Sequence, residues 1–234
     1  TDYEFNVFDF QRRFYQCFSL IASRGLLPIR CGGTGLYIDA VLRKYRMPTV
    51  PEDRELRKML EKETMASLTK RLLELNMCVH NTTDLVDRER LVRAIEIAAY
   101  SHEGEDQQQA TTLPTLEPLV IGIRCERSVL RKRVTERLEK RFREGLIEEV
   151  ENLHDRGVDW QKLHYFGLEY RYVGMYLQKQ LKYEEMFNIL NSKIHQFAKR
   201  QETWFRRMEK QGTLIYWIEG DDYRSVQSLV NKFI

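Results

Sequence analysis

The stretch PIRCGGTGLYIDAVL, residues 28–42, sets three glycines and a threonine between an apolar run and an amphipathic segment. A strand that turns into a helix beside an anion has this order, because the free N–H groups of the helix start face the anion's oxygens. No lysine follows the glycines, so a phosphate loop of the G-x-x-x-x-G-K-[ST] kind is not formed here. Upstream, Phe10, Phe14, Phe18 and Ile21 recur at helical spacing within residues 6–24, and Gly25 ends that helix. Residues 26–31 read as a buried strand with Pro28 near its start, and residues 34–42 as a helix. Helix, strand, turn and helix in succession predict an α/β fold.

The pattern changes at RMPTVPEDREL, residues 46–56, where two prolines break the chain and Pro51 with Glu52 and Asp53 opens a helix. From there to about Tyr100 the apolar residues keep helical spacing: Leu56, Met59 and Leu60; Leu68, Leu72, Leu73 and Leu75; Leu91, Ala94, Ile95 and Ile97. Residues 101–114 are polar and loop-like. LVIGIR, residues 119–124, then reads as a short buried parallel strand. This divides the chain into an α/β core, residues 1–48 and 115–234, and an all-helical insertion, residues 49–114. Helices are expected at 127–144, 145–156, 167–178 and 183–209, with a linker between the second and third. A last strand in TLIYWIEG and a terminal helix at 222–233 complete the pattern.

The net charge of +3 on 234 residues is small, but the basic residues are unevenly placed. No apolar run is long enough for a membrane helix. Cys17, Cys31, Cys78 and Cys125 are far apart and predict buried free thiols in a reducing compartment; the five histidines are scattered, so no zinc site is expected. On the segment 127–145, Arg133 and Arg137 stand one turn apart, as a guanidinium pair gripping a polyanion would. The same spacing fits a solvated helix laced with Glu136 and Glu139. In HQFAKRQETWFRRMEK, Lys199, Thr203 and Arg206 share a face, and Phe197, Trp204 and Phe205 are interleaved. Such a face suits a nucleic-acid backbone; equally, the aromatics belong to a core and the charges to its wet side. Arg90 and Arg93 either position phosphates or solubilise their helix.

Taken in order, these segments resemble the tRNA dimethylallyltransferases. The resemblance rests on Gly32-Gly33-Thr34-Gly35-Leu36-Tyr37, on Glu89-Arg90-Leu91-Val92-Arg93-Ala94, on Arg133 and Arg137 followed by Gly145-Leu146-Ile147-Glu148-Glu149-Val150, and on Ala198-Lys199-Arg200-Gln201-Glu202-Thr203-Trp204-Phe205-Arg206. It implies a P-loop-NTPase-like parallel sheet flanked by helices, with the helical insertion binding tRNA. It also implies transfer of a dimethylallyl group from its diphosphate to the exocyclic amine of an adenine beside the anticodon, with Mg2+ as cofactor. By matching, Arg137 binds the diphosphate with Arg133 assisting. Thr34, Gly33 and Gly35 line the channel where adenine and donor meet. Arg90 and Arg93 touch tRNA from the insertion, and Lys199, Arg200, Gln201, Thr203 and Arg206 hold the anticodon-loop backbone. His164, Gly167 and Arg171 are weaker contact candidates. A cytoplasmic monomer is expected.

The sequence departs from the family pattern in places. Glu89 stands where the family has Gln, and neither the phosphate loop nor the D-S-x-Q segment with its basic aspartate is present. Both are expected to precede Thr1, so the chain by itself is expected to be inactive. Asp39 reads as a helix-surface residue, not a substitute base. Two other functions fit the same residues: a prenyltransferase for free adenine nucleotides, and a non-catalytic RNA-binding module.

Overall fold

The computed structural model describes residues 5–45, 47, 50–75, 87–102 and 113–234. Most of the polar stretch at 101–114, and Cys78 with His80, lie outside them. The chain divides into two compact units, Thr1–Arg43 with Thr115–Ile234, and Lys44–Pro114.

In the first unit, α1 (Val7–Ala22) begins at Asn6, whose side chain accepts from the N–H of Asp9. Its phenylalanines stack along one side, Phe10 lying 4.6 Å from the Tyr37 ring. The most buried face is a polar one: Gln11 Nε2 donates to Ala40 O at 2.8 Å and Tyr15 OH to Val41 O at 2.9 Å. These bonds tie α1 to α2 (Gly35–Leu42). Asp39 of α2 is 1% exposed and receives Arg43 Nε at 2.9 Å, so it is a buried structural carboxylate and not the surface residue its position suggests. Arg43 also donates to Gln211 O, joining α2 to the far end of α10 (Tyr183–Lys210).

Residues 26–31 are not a strand. They form no ladder among the described residues, Pro28 has no N–H to give, and Leu26 and Ile29 are 59% and 77% exposed. An apolar run becomes a strand only when a neighbour supplies hydrogen bonds. Among the described residues the sheet has two strands, β1 (Ile121–Arg124) and β2 (Tyr216–Glu219), paired in parallel with Ile121 opposite Tyr216. Gly122 leaves room for Trp217: a Cβ there would stand 2.6 Å from its ring. The expectation of a buried β1 fails, because Ile123 is 71% exposed. The fold is thus a mostly helical α/β arrangement with a small parallel sheet.

The apolar core of this unit lies among helices. Leu138 of α6 (Arg127–Arg143), Leu146 and Val150 of α7 (Leu146–Asp155), Val173 of α9 (Leu168–Leu177), and Met186, Leu190 and Ile194 of α10 form one cluster. The expected linker contains α8 (Trp160–Phe166), started by Asp159 accepting from the Gln161 N–H and anchored by fully buried Leu163. Trp160 and Phe166 pack on the same cluster, and seven residues with one full repeat are too short a pattern to read from sequence. A terminal helix, α11 (Tyr223–Phe233), follows β2. Cys17 and Cys31 are exposed, contrary to the buried thiols expected.

The second unit holds α3 (Arg54–Leu60), α4 (Met65–Glu74) and α5 (Arg88–His102). Leu56, Leu60, Leu68, Leu72, Leu91, Ile95 and Ala98 close its core, while Met59 and Leu73 face outward. Asp53 caps α3 by accepting from the N–H groups of Glu55 and Leu56, and Thr64 caps α4. Arg88 reaches back to the carbonyls of Leu60, Glu61 and Glu63, neutralising the open end of α3.

Candidate functional site

The glycine-rich turn and α10 meet directly. Gln201 Nε2 donates to Gly33 O at 2.9 Å, and a Cβ on Gly33 would lie 2.7 Å from that nitrogen. A Cβ on Gly35 would lie 2.2 Å from Trp204 Cδ1 and 3.0 Å from Trp204 Cβ. The glycines therefore let α10 dock on the turn, and on their Cβ side the space is filled by Gln201 and Trp204. Gly35→Ala is expected to cost about 3 kcal/mol by overpacking, because the indole is held at its own Cβ as well. Gly33→Ala meets only the tip of a flexible amide and should cost less. Thermal unfolding of the two variants checks the order; equal midpoints would contradict it.

Thr34 precedes α2 with extended backbone, is exposed, and makes no capping bond with its hydroxyl. Arg30, which reading the sequence did not single out, lies beside this turn. Its guanidinium is 3.3 Å from the Cβ position of Gly32 and 5.3 Å from the Phe10 ring centroid. Burial pulls Arg30 below its ordinary pKa, and Nη1 is buried with no hydrogen-bond partner among the described residues. Trp204 Nε1, on the Gly35 side, is likewise buried and unpartnered. A charged residue inside the run LLPIRC was the one signal that could have marked Arg30.

Arg133 and Arg137 are exposed on α6 and have neither a hydrogen bond nor an ion pair among the described residues. Glu136 pairs weakly with Lys132 at 3.8 Å instead. The rest of α6 carries ion pairs as a solvated helix does, Lys140 with Glu144 and Arg141 with Glu149. The segment after it is structural: Gly145 adopts φ 95° to start α7, which L side chains rarely tolerate. Glu149 receives Tyr170 OH at 2.5 Å and Arg141 Nη2 at 2.9 Å, binding α6, α7 and α9 together. The carboxylate pushes the Tyr170 phenol up to about 12. A cleft of about 690 Å³ lies here, lined by Glu149, Asn152, Leu153, Arg156, Phe166 and Tyr170, and contains none of the expected site residues.

On α10, Lys199 and Arg200 are exposed, and Arg200 lies over the Phe197 ring. Thr203 OH donates to Lys199 O, and Arg206 pairs with Glu202. Gln201 is the member of this group committed to the turn. Gly167 separates α8 from α9 at φ 137°, Arg171 is exposed, and His164 Nε2 is buried without a partner among the described residues.

In the second unit, Arg90 is exposed and its guanidinium makes no bond among the described residues. Arg93 is engaged internally: it donates to Glu96 at 2.9 Å and to Val50 O at 2.6 Å. Among the described residues no group of three His, Cys, Asp or Glu side chains could hold a metal ion, and no helix is long and apolar enough to cross a membrane.

The chain is similar to known proteins over nearly its whole length. The IPP transferase family model matches residues 1–208. A tRNA dimethylallyltransferase of Syntrophus aciditrophicus is 54% identical over 226 residues, which cover 97% of this chain and 74% of that protein. One from Pelobacter propionicus is 55% identical over 219 residues, 93% of this chain and 69% of its own length. Among solved structures, the full-length tRNA isopentenylpyrophosphate transferase of Bacillus halodurans superposes with a TM-score of 0.63 at 27% identity, covering 99% of this chain and 73% of that one. With a family model spanning most of its residues and relatives more than half identical, this chain belongs to the IPP transferase family.

Proposed function

We propose that this protein transfers a dimethylallyl group from dimethylallyl diphosphate to the exocyclic amine of the adenine beside the anticodon of tRNA. The observation that carries this reading is the docking of α10 on the glycine-rich turn. Gln201 and Trp204 face the turn while Lys199, Arg200 and Arg206 stay in solvent, so a reaction site and a polyanion-binding face share one helix. The relatives' names speak for tRNA over a free nucleotide.

In this reading the adenine leaves the loop stack and enters beside the turn, as base-modifying enzymes require. The amine is a weak nucleophile because its lone pair is delocalised into the ring, so positioning supplies much of the rate. As the nitrogen–carbon bond forms, the bond from carbon to the diphosphate oxygen breaks, and the amine gives up a proton. Arg137 and Arg133 take the charge that grows on the diphosphate, and guanidinium ions do so without titrating. Thr34 offers its free hydroxyl to the channel wall beside Gly33 and Gly35. The proton acceptor has no assignment among the described residues; Asp39 is excluded by its burial against Arg43. Mg2+ would reach such a site largely through the substrate's phosphates and waters, beside Arg133 and Arg137, and would neutralise charge on the diphosphate.

Lys199, Arg200 and Arg206 hold the anticodon-loop backbone, Arg206 exchanging Glu202 for a phosphate, and Thr203 lies between them. Arg90 offers a guanidinium with no partner among the described residues of the second unit, and Arg93 contributes through the fold around Glu96. A tRNA substrate supports a cytoplasmic place of action. Arg200→Ala is expected to weaken binding of an anticodon stem-loop and to reduce the slope of log affinity against log salt by about 0.7–0.9, one phosphate contact. Titration at several salt concentrations checks this, and an unchanged slope would remove Arg200 from the interface.

A further inference from the structure

We propose that the exposed ring of Phe197 is a stacking platform for an unpaired base of the RNA that α10 binds. The inference rests on the tRNA reading above and adds to it a residue that reads the loop. Three aromatic side chains interleave the basic face of α10, and two are accounted for by packing. Trp204 fills the space beside Gly35. Phe205 meets Trp217 edge-on at 6.3 Å, and Trp217 is fixed by its N–H to Glu209. Phe197 is 44% exposed.

Its position adds meaning to that exposure. Phe197, Gln201 and Trp204 follow one another at helical spacing and form one row. The later two members rest on Gly33 and Gly35. Phe197 extends the row by one turn, beyond the contact with the glycine turn. Arg200 lies 5.9 Å from its ring centroid, and Lys199 and Arg200 are exposed beside it. A half-exposed ring with Arg200 over one face and Lys199 exposed beside it is poorly matched to an apolar protein surface, which would leave those charges without an anionic partner. It matches a nucleotide, whose base stacks on the ring while its phosphate meets the cations. Stacking of this kind tolerates any base, so Phe197 would hold the loop open beside the reaction site and leave base choice to the channel.

The test uses the 234-residue chain and an anticodon stem-loop RNA carrying 2-aminopurine at single loop positions. Phe197→Leu is expected to weaken binding about tenfold or more, with the salt slope unchanged, because a stack releases no counterions. One loop position should be quenched on binding to the wild-type chain and not to Phe197→Leu. Phe197→Tyr keeps a π-face and should retain both affinity and quenching. Equal losses in the Leu and Tyr variants, or binding indifferent to Phe197→Leu, would overturn the platform alone. A wild-type chain that binds no stem-loop RNA would overturn the tRNA reading and the platform with it.

Discussion

Arg137→Ala is expected to lower the turnover of dimethylallyl transfer by about two to three orders of magnitude, the usual consequence of removing one preorganised donor to a developing anion. The affinity for tRNA should stay near that of the wild type. The asymmetry follows from where charge appears: the diphosphate gains negative charge as its bond to the prenyl carbon breaks, so the guanidinium contributes more in the transition state than in the ground state. The geometry fits this role, since Arg137 is exposed one turn from Arg133 and no carboxylate among the described residues neutralises either. Arg137→Lys restores a charge but not a planar pair of donors, so it should recover only part of the rate. Steady-state kinetics of the protein as its gene encodes it, with tRNA affinity measured separately, give the comparison. A variant that loses tRNA binding and keeps its turnover would place Arg137 on the RNA and not on the diphosphate.

The second large effect concerns stability. Glu96 is 2% exposed and accepts from Arg57 Nε at 2.7 Å, Arg57 Nη2 at 2.9 Å, Arg93 Nη1 at 2.9 Å and the Asp53 N–H at 3.1 Å. Burial alone would raise its pKa; the bonds from Arg57, Arg93 and Asp53 outweigh it, and the net shift is downward. The hydrogen bond to Glu96 raises Arg57 in turn. Glu96→Ala breaks a buried pair and should destabilise the second unit by about 3 kcal/mol, the low end for such losses because both arginines can turn to water. A carboxylate whose folded pKa is depressed stabilises above its unfolded value, about 4.3. Its contribution is lost as pH falls through the still lower folded value. The second unit should therefore lose stability as pH falls below about 4.3, and Glu96→Gln should reduce that pH dependence, the remainder coming from groups such as Glu63. Hydrogen exchange in α3–α5 follows this unit separately. Protection unchanged in Glu96→Ala would show that the network stabilises nothing.

Much of the helical framework was legible in the residues. The stripes of α1, α4 and α5 repeat with the helical period, and Asp53 caps α3 where the proline break placed a helix start. Residues 26–31 were not, because an apolar run specifies a wish to be covered and not the partner that covers it. Arg93 and Arg137 show the same limit at the site. Both are arginines at helical spacing, yet one is held by Glu96 and Val50 O while the other is free. Glu96 gathers Arg57 from 39 residues away, and no local pattern encodes such a pairing. The glycines of the turn suggested room for a ligand; the structure shows that Gln201 and Trp204 use that room first. The link between the turn and α10, 168 residues apart in sequence, is the part of the site that only the folded chain reveals.

The most direct test of prenyl transfer to tRNA is nucleoside analysis by mass spectrometry. The encoding gene would be expressed in a bacterial strain lacking its own tRNA dimethylallyltransferase, and the tRNA digested to nucleosides. Dimethylallyl-adenosine should appear with the wild-type gene and nearly vanish with Arg137→Ala. Its absence with the wild-type gene, while the protein accumulates in folded form and binds the anticodon stem-loop, would contradict the account.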